Sequence, residues 1–180
     1  MKKISVEVQG TTPLLMNRFR DKQIDDDTKQ VMGARKKEEL IDKLYLVDDE
    51  PCIPGVYFKN AITEAAKQFK IVGKGKSTYS KLVGSTVQIG EEYCVIDGGY
   101  EVFRISGVNP MTKGRVMISR PRFNKWKTKC TILLMDDGVP PNVMNDMLVH
   151  AGQYVGVGDW RPDKKGMFGK FIVTSYKEVA

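Results

Sequence analysis

The stretch His150-Ala-Gly-Gln-Tyr-Val-Gly-Val-Gly-Asp-Trp-Arg-Pro-Asp-Lys-Lys-Gly-Met-Phe-Gly-Lys-Phe-Ile-Val173 begins where an apolar helical pattern stops and ends in a predicted strand. Glycines at this density allow positive φ angles and let backbone amides approach a ligand closely. Cations and an indole ring lie among them, which suits a phosphate backbone and its bases better than a small neutral metabolite. The alternative is a long surface turn with solvated charges. The predicted binding residues of this glycine loop (residues 156–170) are Gly156, Gly158, Trp160, Arg161, Lys164, Lys165, Gly166, Gly169 and Lys170.

The chain has 180 residues, of which 41% are hydrophobic, enough for one core, so we expect a single domain over residues 1–180. Its net charge of +7 favours a polyanionic partner. Residues 102–135 contain no acid, and neither do residues 65–90, whereas acids gather between residues 21 and 50. This segregation predicts a basic face and a charged insertion at about residues 20–50.

The hydrophobic periodicity predicts mixed secondary structure. Ile4, Val6 and Val8 alternate with polar residues, as in a half-buried strand. Apolar residues at helical spacing predict a helix from Pro54 to Phe69, and a second helix is expected from Pro140 to a C′ residue at Gly152. A short helix over 38–46 is also predicted. The candidate strands after it are 86–89, 93–96, 102–108, 115–122, 127–135 and 171–176.

This order favours an α+β fold, with two helices on one face of an antiparallel sheet in the ferredoxin-like manner. The strands that contain the basic stretch 115–129 predict an extended basic β-hairpin. In the segment 115–129, cations could neutralise phosphates and aromatic rings could stack bases at about 1–3 kcal/mol each. The alternative is a twisted hairpin whose cations protect its edges and whose tryptophan lies in the core. The predicted binding residues here are Arg115, Arg120, Arg122, Lys125, Trp126 and Lys127, with Phe123 as a further stacking candidate.

The first long helix contributes a third group of candidates. Lys59 and Asn60 lie in its first turns, where helix amides attract phosphate, although simple solvent exposure explains them equally well. Lys74 and Lys76 lie in a basic loop after the helix. That loop lacks the first half of a phosphate-binding loop, so an NTPase is not expected.

No catalytic residue, metal site or cofactor is predicted. The group Asp21, Asp25, Asp26 and Asp27 could hold Mg²⁺, and His150 could act as an acid or base, but a solvated charge run and a helix-terminal histidine are the simpler interpretations. Cys52, Cys94 and Cys130 lack metal-ligand spacing and are expected to be buried small hydrophobes in a reducing compartment. With neither a signal peptide nor a membrane span in view, we expect a cytoplasmic protein of a bacterial or phage-infected cell.

Three motifs in order carry a resemblance to a known family. A strand runs into Gly10-Thr-Thr-Pro-Leu-Leu-Met16, then a strand, Ile-Pro-Gly and a helix follow in Cys52-Ile-Pro-Gly-Val-Tyr-Phe-Lys-Asn-Ala-Ile-Thr-Glu-Ala-Ala-Lys67, and Gly156-Val-Gly-Asp-Trp-Arg161 precedes Gly166-Met-Phe-Gly-Lys-Phe171. The chain thus resembles the RAMP superfamily, RNA-binding proteins that include backbone subunits of CRISPR effector complexes. It also looks like small phage and prophage proteins. The glycine signature departs from the family pattern through the inserted Pro162-Asp-Lys-Lys165.

The resemblance implies a modified ferredoxin-like (RRM-like) fold, a glycine loop beside the first helix that binds RNA backbone, and head-to-tail assembly along the RNA. The predicted function is non-catalytic binding of single-stranded RNA or DNA, with RNA favoured, by a homo-oligomer or filament without a membrane partner. One alternative is a metal- or histidine-dependent endonuclease of the same fold. Another is a structural assembly protein of phage origin whose basic face meets acidic protein.

Overall fold

The computed structural model describes residues 1–19, 41–109 and 111–179. Within these ranges the chain forms short and long strands around three α-helices. The strands are β1 Lys2–Gly10, β2 Leu14–Leu15, β3 Tyr45–Val47, β4 Glu50–Pro54, β5 Val87–Ile89, β6 Tyr93–Asp97, β7 Tyr100–Val108, β8 Arg115–Phe123, β9 Lys127–Leu134 and β10 Phe171–Val179, and the helices are α1 Gly55–Ala65, α2 Ser80–Thr86 and α3 Pro141–His150.

The main sheet has the order β10-β1-β9-β6-β4-β3, with β5 also paired to β9. The pairings between its described strands are antiparallel, which confirms the predicted α+β class with an antiparallel sheet. Alternation in β1 buries Ile4, Val6 and Val8 on one face. Apolar side chains of α1 and α3, such as Phe58 and Leu148, complete the same core. No helix of the described residues is long and apolar enough to span a membrane.

Strands β7 and β8 form a long hairpin that we call the arm (residues 100–123). They pair antiparallel from Tyr100↔Phe123 to Val108↔Arg115. The short strand β2 pairs only with the last residues of β8, at Phe123 and Arg122. The rest of the arm has no third strand among the described residues. A two-stranded ribbon therefore extends from the body and exposes much of both its faces.

Three predictions of secondary structure were wrong. Helix α2 was missed, because a seven-residue element with a single buried side chain, Val83, gives little periodic signal. The helix predicted over 38–46 does not extend to residue 46, since Tyr45–Val47 forms strand β3 and pairs with β4. The two strands are joined by a tight turn in which Asp48 and Asp49 have φ angles of 50° and 63°. The earlier part of that helix, and most of the charged insertion over 20–50, lie outside the described residues.

The third correction concerns Gly152, which does not terminate α3. The helix continues into a π-helical turn, Ala151–Val155, and the chain reverses at Gly156 with a φ of 71°. Gly152 is buried in this turn, where a Cβ atom would lie 2.2 Å from the carbonyl oxygen of Phe171. A glycine is needed there because the helix approaches β10 closely, not because the helix ends.

Candidate nucleic-acid interface

The opening segment of the chain holds the glycine loop in place. The amide of Lys170 donates to Thr12 Oγ1 at 2.9 Å, the amide of Gly169 donates to the Pro13 carbonyl at 2.8 Å, and the amide of Asp159 donates to the Leu15 carbonyl at 2.9 Å. Two of the three motifs behind the family resemblance are therefore hydrogen-bonded neighbours in space.

The loop glycines are required by the packing of the loop itself. A Cβ on Gly169 (φ 72°) would lie 1.8 Å from the Val157 carbonyl oxygen, and one on Gly166 would lie 1.7 Å from the Trp160 carbonyl oxygen. The amides of Gly156 and Val157 donate to Ala151 and Gly169. These amides are already paired within the protein, contrary to the predicted backbone cradle for a ligand.

A cleft of about 360 Å³ separates the glycine loop from α1. Tyr57, Asn60 and Glu64 line it from the helix, and the backbone from Val155 to Asp159 lines it from the loop. This places Asn60 opposite the glycine loop, as the resemblance implied. Lys59, its sequence neighbour, lies on another side of α1 beside the segment after β5.

Two cations of the glycine loop, Arg161 and Lys164, form ion pairs with a carboxylate of the same loop. The Arg161 guanidinium donates to Asp163 Oδ2 at 3.2 Å and to the Gly158 carbonyl at 3.3 Å. The Lys164 ammonium lies 3.1 Å from the same carboxylate oxygen. A phosphate would have to compete with Asp163 for both groups. Of the other predicted loop cations, Lys165 is exposed and Lys170 is half-buried.

Tyr57 lies at the edge of the cleft with its hydroxyl 3.0 Å from that of Tyr45. Burial, followed by this hydrogen bond, raises the pKa of Tyr57 well above its usual value. The phenol therefore stays protonated at physiological pH and acts in the cleft as a hydrogen-bonding group without charge.

An aromatic cluster connects the glycine loop to the base of the arm. The ring of Trp160 meets that of Phe103 edge-on at 6.4 Å, and Phe168 lies 5.5 Å from Phe103. The Arg122 guanidinium lies over the Phe103 ring, 5.1 Å from its centroid. Trp160 is half-buried, so its predicted stacking role depends on the part of the indole that remains exposed.

Two positive charges of the acid-free segment are compensated by acids from other parts of the chain, which the sequence of the segment does not reveal. Arg120 Nε donates to Asp159 Oδ2 at 2.9 Å, with the two side chains only 17% and 24% exposed. Arg122 pairs with Glu101 on the facing strand. Hydrogen bonds from Asn124 and Arg122 hold the pKa of Glu101 below its usual range. Arg120 and Arg122 thus have structural partners that compete with any phosphate.

Trp126 does not form a stacking surface, and that prediction is corrected. Its side chain is 1% exposed, and the indole N–H donates to the Thr12 carbonyl at 3.0 Å. A Cβ on Gly10 would lie 2.0 Å from the indole nitrogen, so the glycine of the opening motif is required by this ring. Phe123 is also fully buried. The alternative interpretation, with the tryptophan in the core, was right.

Other cations of the arm, and of the segment that leads from it into β9, remain exposed without an ion pair to any described residue. Among the predicted residues these are Arg115, Lys125 and Lys127. Arg104 and Lys113 share this property and were missed as site residues, although they lie in the same acid-free segment. Lys113 occupies the turn at the tip of the arm, where Asn109 Oδ1 accepts the amide of Met111 at 2.9 Å.

Lys74 and Lys76 lie in a compact loop at the far end of α1. The Ile71 amide donates to the Ser77 carbonyl at 2.9 Å, and both lysines are exposed. The predicted residues therefore do not form one site. They occupy the arm, the segment 125–127 that leads into β9, the cleft with its glycine loop, the side of α1 that carries Lys59, and this lysine loop.

The residues of the catalytic and metal-binding alternatives are the Asp21–Asp27 group and His150. The part of the chain that the structure describes contains no group of His, Cys, Asp and Glu residues able to hold a metal ion, and the Asp21–Asp27 group lies outside it. The His150 ring packs between Phe69 and Tyr154, with centroids at 5.6 and 4.7 Å, and its Nδ1 atom is buried without a hydrogen-bond partner. The three cysteines are buried and free, as expected from the sequence.

No protein-family model and no curated protein matches this sequence. Among solved structures, a chain in the cryo-EM structure of the Type III-B Cmr-beta bound to cognate target RNA is similar over 99% of this chain, with a TM-score of 0.58 and 13% identity. This chain spans 60% of the length of that chain.

Two further structures are more distant. Cmr6 from Pyrococcus furiosus has a TM-score of 0.46 at 10% identity, covering 94% of this chain and 97% of its own. A CRISPR RNA-guided surveillance complex chain has a TM-score of 0.40 at 11% identity, covering 94% and 66%. Neither is close enough to carry an argument. The first likeness, at its low identity, shows only that the antiparallel α+β fold of this chain is similar to that of a chain in that complex.

Proposed function

We propose that this protein binds single-stranded nucleic acid, RNA in preference to DNA, without cleaving it. The observation that carries the proposal is the arm, which extends from the body with exposed cations that have no acidic partner among the described residues. These cations are Arg104, Lys113 and Arg115. Together with a net charge of +7, they offer phosphate contacts for which no ion pair among the described residues has to break.

Apolar side chains on the arm favour a single strand over a duplex. Val102, Met117 and Val108 are 46%, 67% and 62% exposed. The strand register places them on the face of the ribbon that carries Arg104 and Arg115. Only an unpaired strand can turn the faces of its bases towards such side chains while its phosphates meet the cations. The preference for RNA is supported by the fold likeness to a chain of a complex bound to target RNA.

We also propose head-to-tail assembly along the strand, as the family resemblance implies. A two-stranded ribbon is marginally stable in water on its own. The arm nevertheless exposes Val116 and Ile105 on one face, so a neighbouring copy that covers this face would stabilise it. A phage origin, which rests on the opening and closing motifs, belongs to the same proposal. So does a cytoplasmic location, which is supported by the buried and free cysteines.

Binding is tested with fluorescently labelled oligonucleotides of one sequence as single-stranded RNA, single-stranded DNA and duplex RNA. Each phosphate contact contributes a slope of about 0.7 to the dependence of log K on log salt for single strands. Three unpaired arm cations therefore predict a slope of about 2 or more, with single strands bound more tightly than duplex. A flat salt response, or no binding at low salt, would contradict the proposal.

The same protein preparations test cleavage and assembly. We expect intact RNA after incubation with Mg²⁺ or Mn²⁺; cleavage that His150→Ala or Asp25→Ala abolishes would establish the endonuclease alternative. Electron microscopy should show regular oligomers that lengthen when RNA is added. Isolated monomers with and without saturating RNA would remove the assembly part of the proposal and leave RNA binding untouched.

A further inference from the structure

The cleft between α1 and the glycine loop carries carboxylates rather than free cations. Glu64 lines it from the helix, and Asp159 and Asp163 line it from the loop. The cations nearest to them are already paired. Arg120 pairs with Asp159, and Lys67 lies 2.6 Å from Glu64 Oε2. Arg161 and Lys164 both pair with Asp163.

This arrangement is unfavourable for a phosphate group. A phosphate in the cleft would have to take Arg161 and Lys164 from Asp163 and would leave that carboxylate unpaired beside it. Three backbone amides of the cleft are already used, because those of Gly156, Val157 and Asp159 donate to Ala151, Gly169 and Leu15. The phosphates are therefore better placed outside, on the exposed lysines and arginines.

The cleft instead offers hydrogen-bond acceptors and neutral groups. Carboxylate oxygens of Glu64, the protonated hydroxyl of Tyr57, and the side-chain amides of Asn17 and Asn60 all line it. Neither of these amides has a hydrogen-bond partner among the described residues. Such a surface suits a ligand part that is uncharged and rich in hydroxyl and amino groups.

We propose that this cleft binds the sugar and base edge of a ribonucleotide, with the ribose 2′-hydroxyl donating to Glu64. A 2′-hydroxyl is the group that distinguishes RNA from DNA at a given position, and it both donates and accepts hydrogen bonds. A carboxylate acceptor strengthens the bond that the hydroxyl donates. The inference rests on the proposed function and adds to it the group that selects RNA.

The decisive variant is Glu64→Ala, because a phosphate site and a 2′-hydroxyl site predict changes of opposite sign in the affinity for RNA. If the cleft held phosphate, removing a carboxylate would strengthen the binding of RNA and DNA alike. If Glu64 accepts the 2′-hydroxyl, the RNA-over-DNA affinity ratio should fall about tenfold, the factor that corresponds to about 1.4 kcal/mol. Glu64→Gln keeps an amide oxygen as acceptor and should retain part of the ratio.

Glu178→Ala is the matched control, because Glu178 is an exposed residue of β10 away from the cleft. It removes the same charge and should leave the ratio unchanged. Equal strengthening of RNA and DNA binding by Glu64→Ala would overturn the inference, and so would an unchanged ratio. In both cases RNA is still bound, so the proposed function stands.

Free nucleosides provide a test that does not depend on oligonucleotide binding. NMR spectra are recorded with adenosine, 2′-deoxyadenosine and inorganic phosphate at equal concentration and ionic strength. Adenosine should shift the amide signals of residues 155–159 and the side-chain amide of Asn60 more than 2′-deoxyadenosine, and phosphate should not shift them. Shifts from phosphate alone, or equal shifts from both nucleosides, would overturn the inference. If adenosine binds but oligonucleotides do not, the proposed function fails while the cleft assignment stands.

Discussion

Arg120 and Arg104 lie on the same arm, and the structure assigns them different roles. Arg120 is largely buried and donates to Asp159 in the glycine loop, whereas Arg104 is exposed and has no ion pair within the described residues. Replacing each arginine with methionine removes one positive charge and keeps most of the alkyl stem. The pair of variants therefore separates a structural contact from a phosphate contact at equal net charge.

The magnitudes follow from the contacts. A hydrogen bond to a charged group contributes about 1.5–3 kcal/mol, and Arg120→Met also leaves Asp159 half-buried without its cation. For a chain of this size, the loss corresponds to a melting temperature lower by about 3–12 °C. Arg104→Met removes no described contact and should stay within about 0.5 kcal/mol of the wild type.

The RNA salt slope should show the reverse order. Arg104→Met should lower the slope by about 0.7, and Arg120→Met should leave it close to the wild-type value, since its guanidinium already serves Asp159. Calorimetry and fluorescence anisotropy measure the two quantities. A stable Arg120→Met protein with a reduced slope would refute the reasoning, because it would make Arg120 a phosphate ligand and its ion pair dispensable.

Three further predictions concern the opening motif, the glycine loop and the base of the arm. Gly169→Ala should destabilise the fold by more than the roughly 1–2 kcal/mol of left-handed backbone strain, because its Cβ would overlap the Val157 carbonyl. The control Gly75→Ala (φ 60°) meets no atom and should cost that strain only, and chemical denaturation measures both losses. Trp126→Phe should cost about 1–3 kcal/mol by leaving the Thr12 carbonyl without its donor, and RNA affinity measured where the variant is folded should not change. Glu101→Gln should lower the melting temperature at neutral pH, and the difference should vanish as the pH falls through the lowered pKa of Glu101, since a depressed carboxyl pKa stabilises only above it; a difference that persists in strong acid would contradict this.

Much of the fold could be predicted from local pattern. Alternation gave β1 and the arm strands, and helical spacing gave α1 from Gly55 to Ala65, which a 3₁₀ turn extends to Gln68. Two of the misses share one cause, which is contact with distant residues. Gly152 has the composition of a helix end, but its role is set by the approach of Phe171, and Tyr45–Val47 becomes a strand because β4 lies beside it.

The candidate site could be predicted less well, because a cation with no acid nearby in the sequence can still pair with an acid from a distant part of the chain. Arg120 and Arg122 lie in a segment without acids, yet Asp159 and Glu101 meet them across the loop and the ribbon. Trp126 looks like a stacking residue beside lysines, but its burial depends on Gly10, more than a hundred residues earlier. The cations that stay unpaired could be identified only after these partners were known.

The central claim is that the unpaired cations of the arm hold the phosphates of a single strand. The most direct measurement is the RNA salt slope of a triple variant, Arg104→Gln, Lys113→Gln and Arg115→Gln, against a control with Lys3, Lys81 and Lys177 changed to Gln. All six are exposed, so both proteins lose three positive charges. The arm variant should lose about 2 from the slope and the control almost nothing. Equal losses in the two variants would contradict the account and reduce RNA binding to diffuse charge.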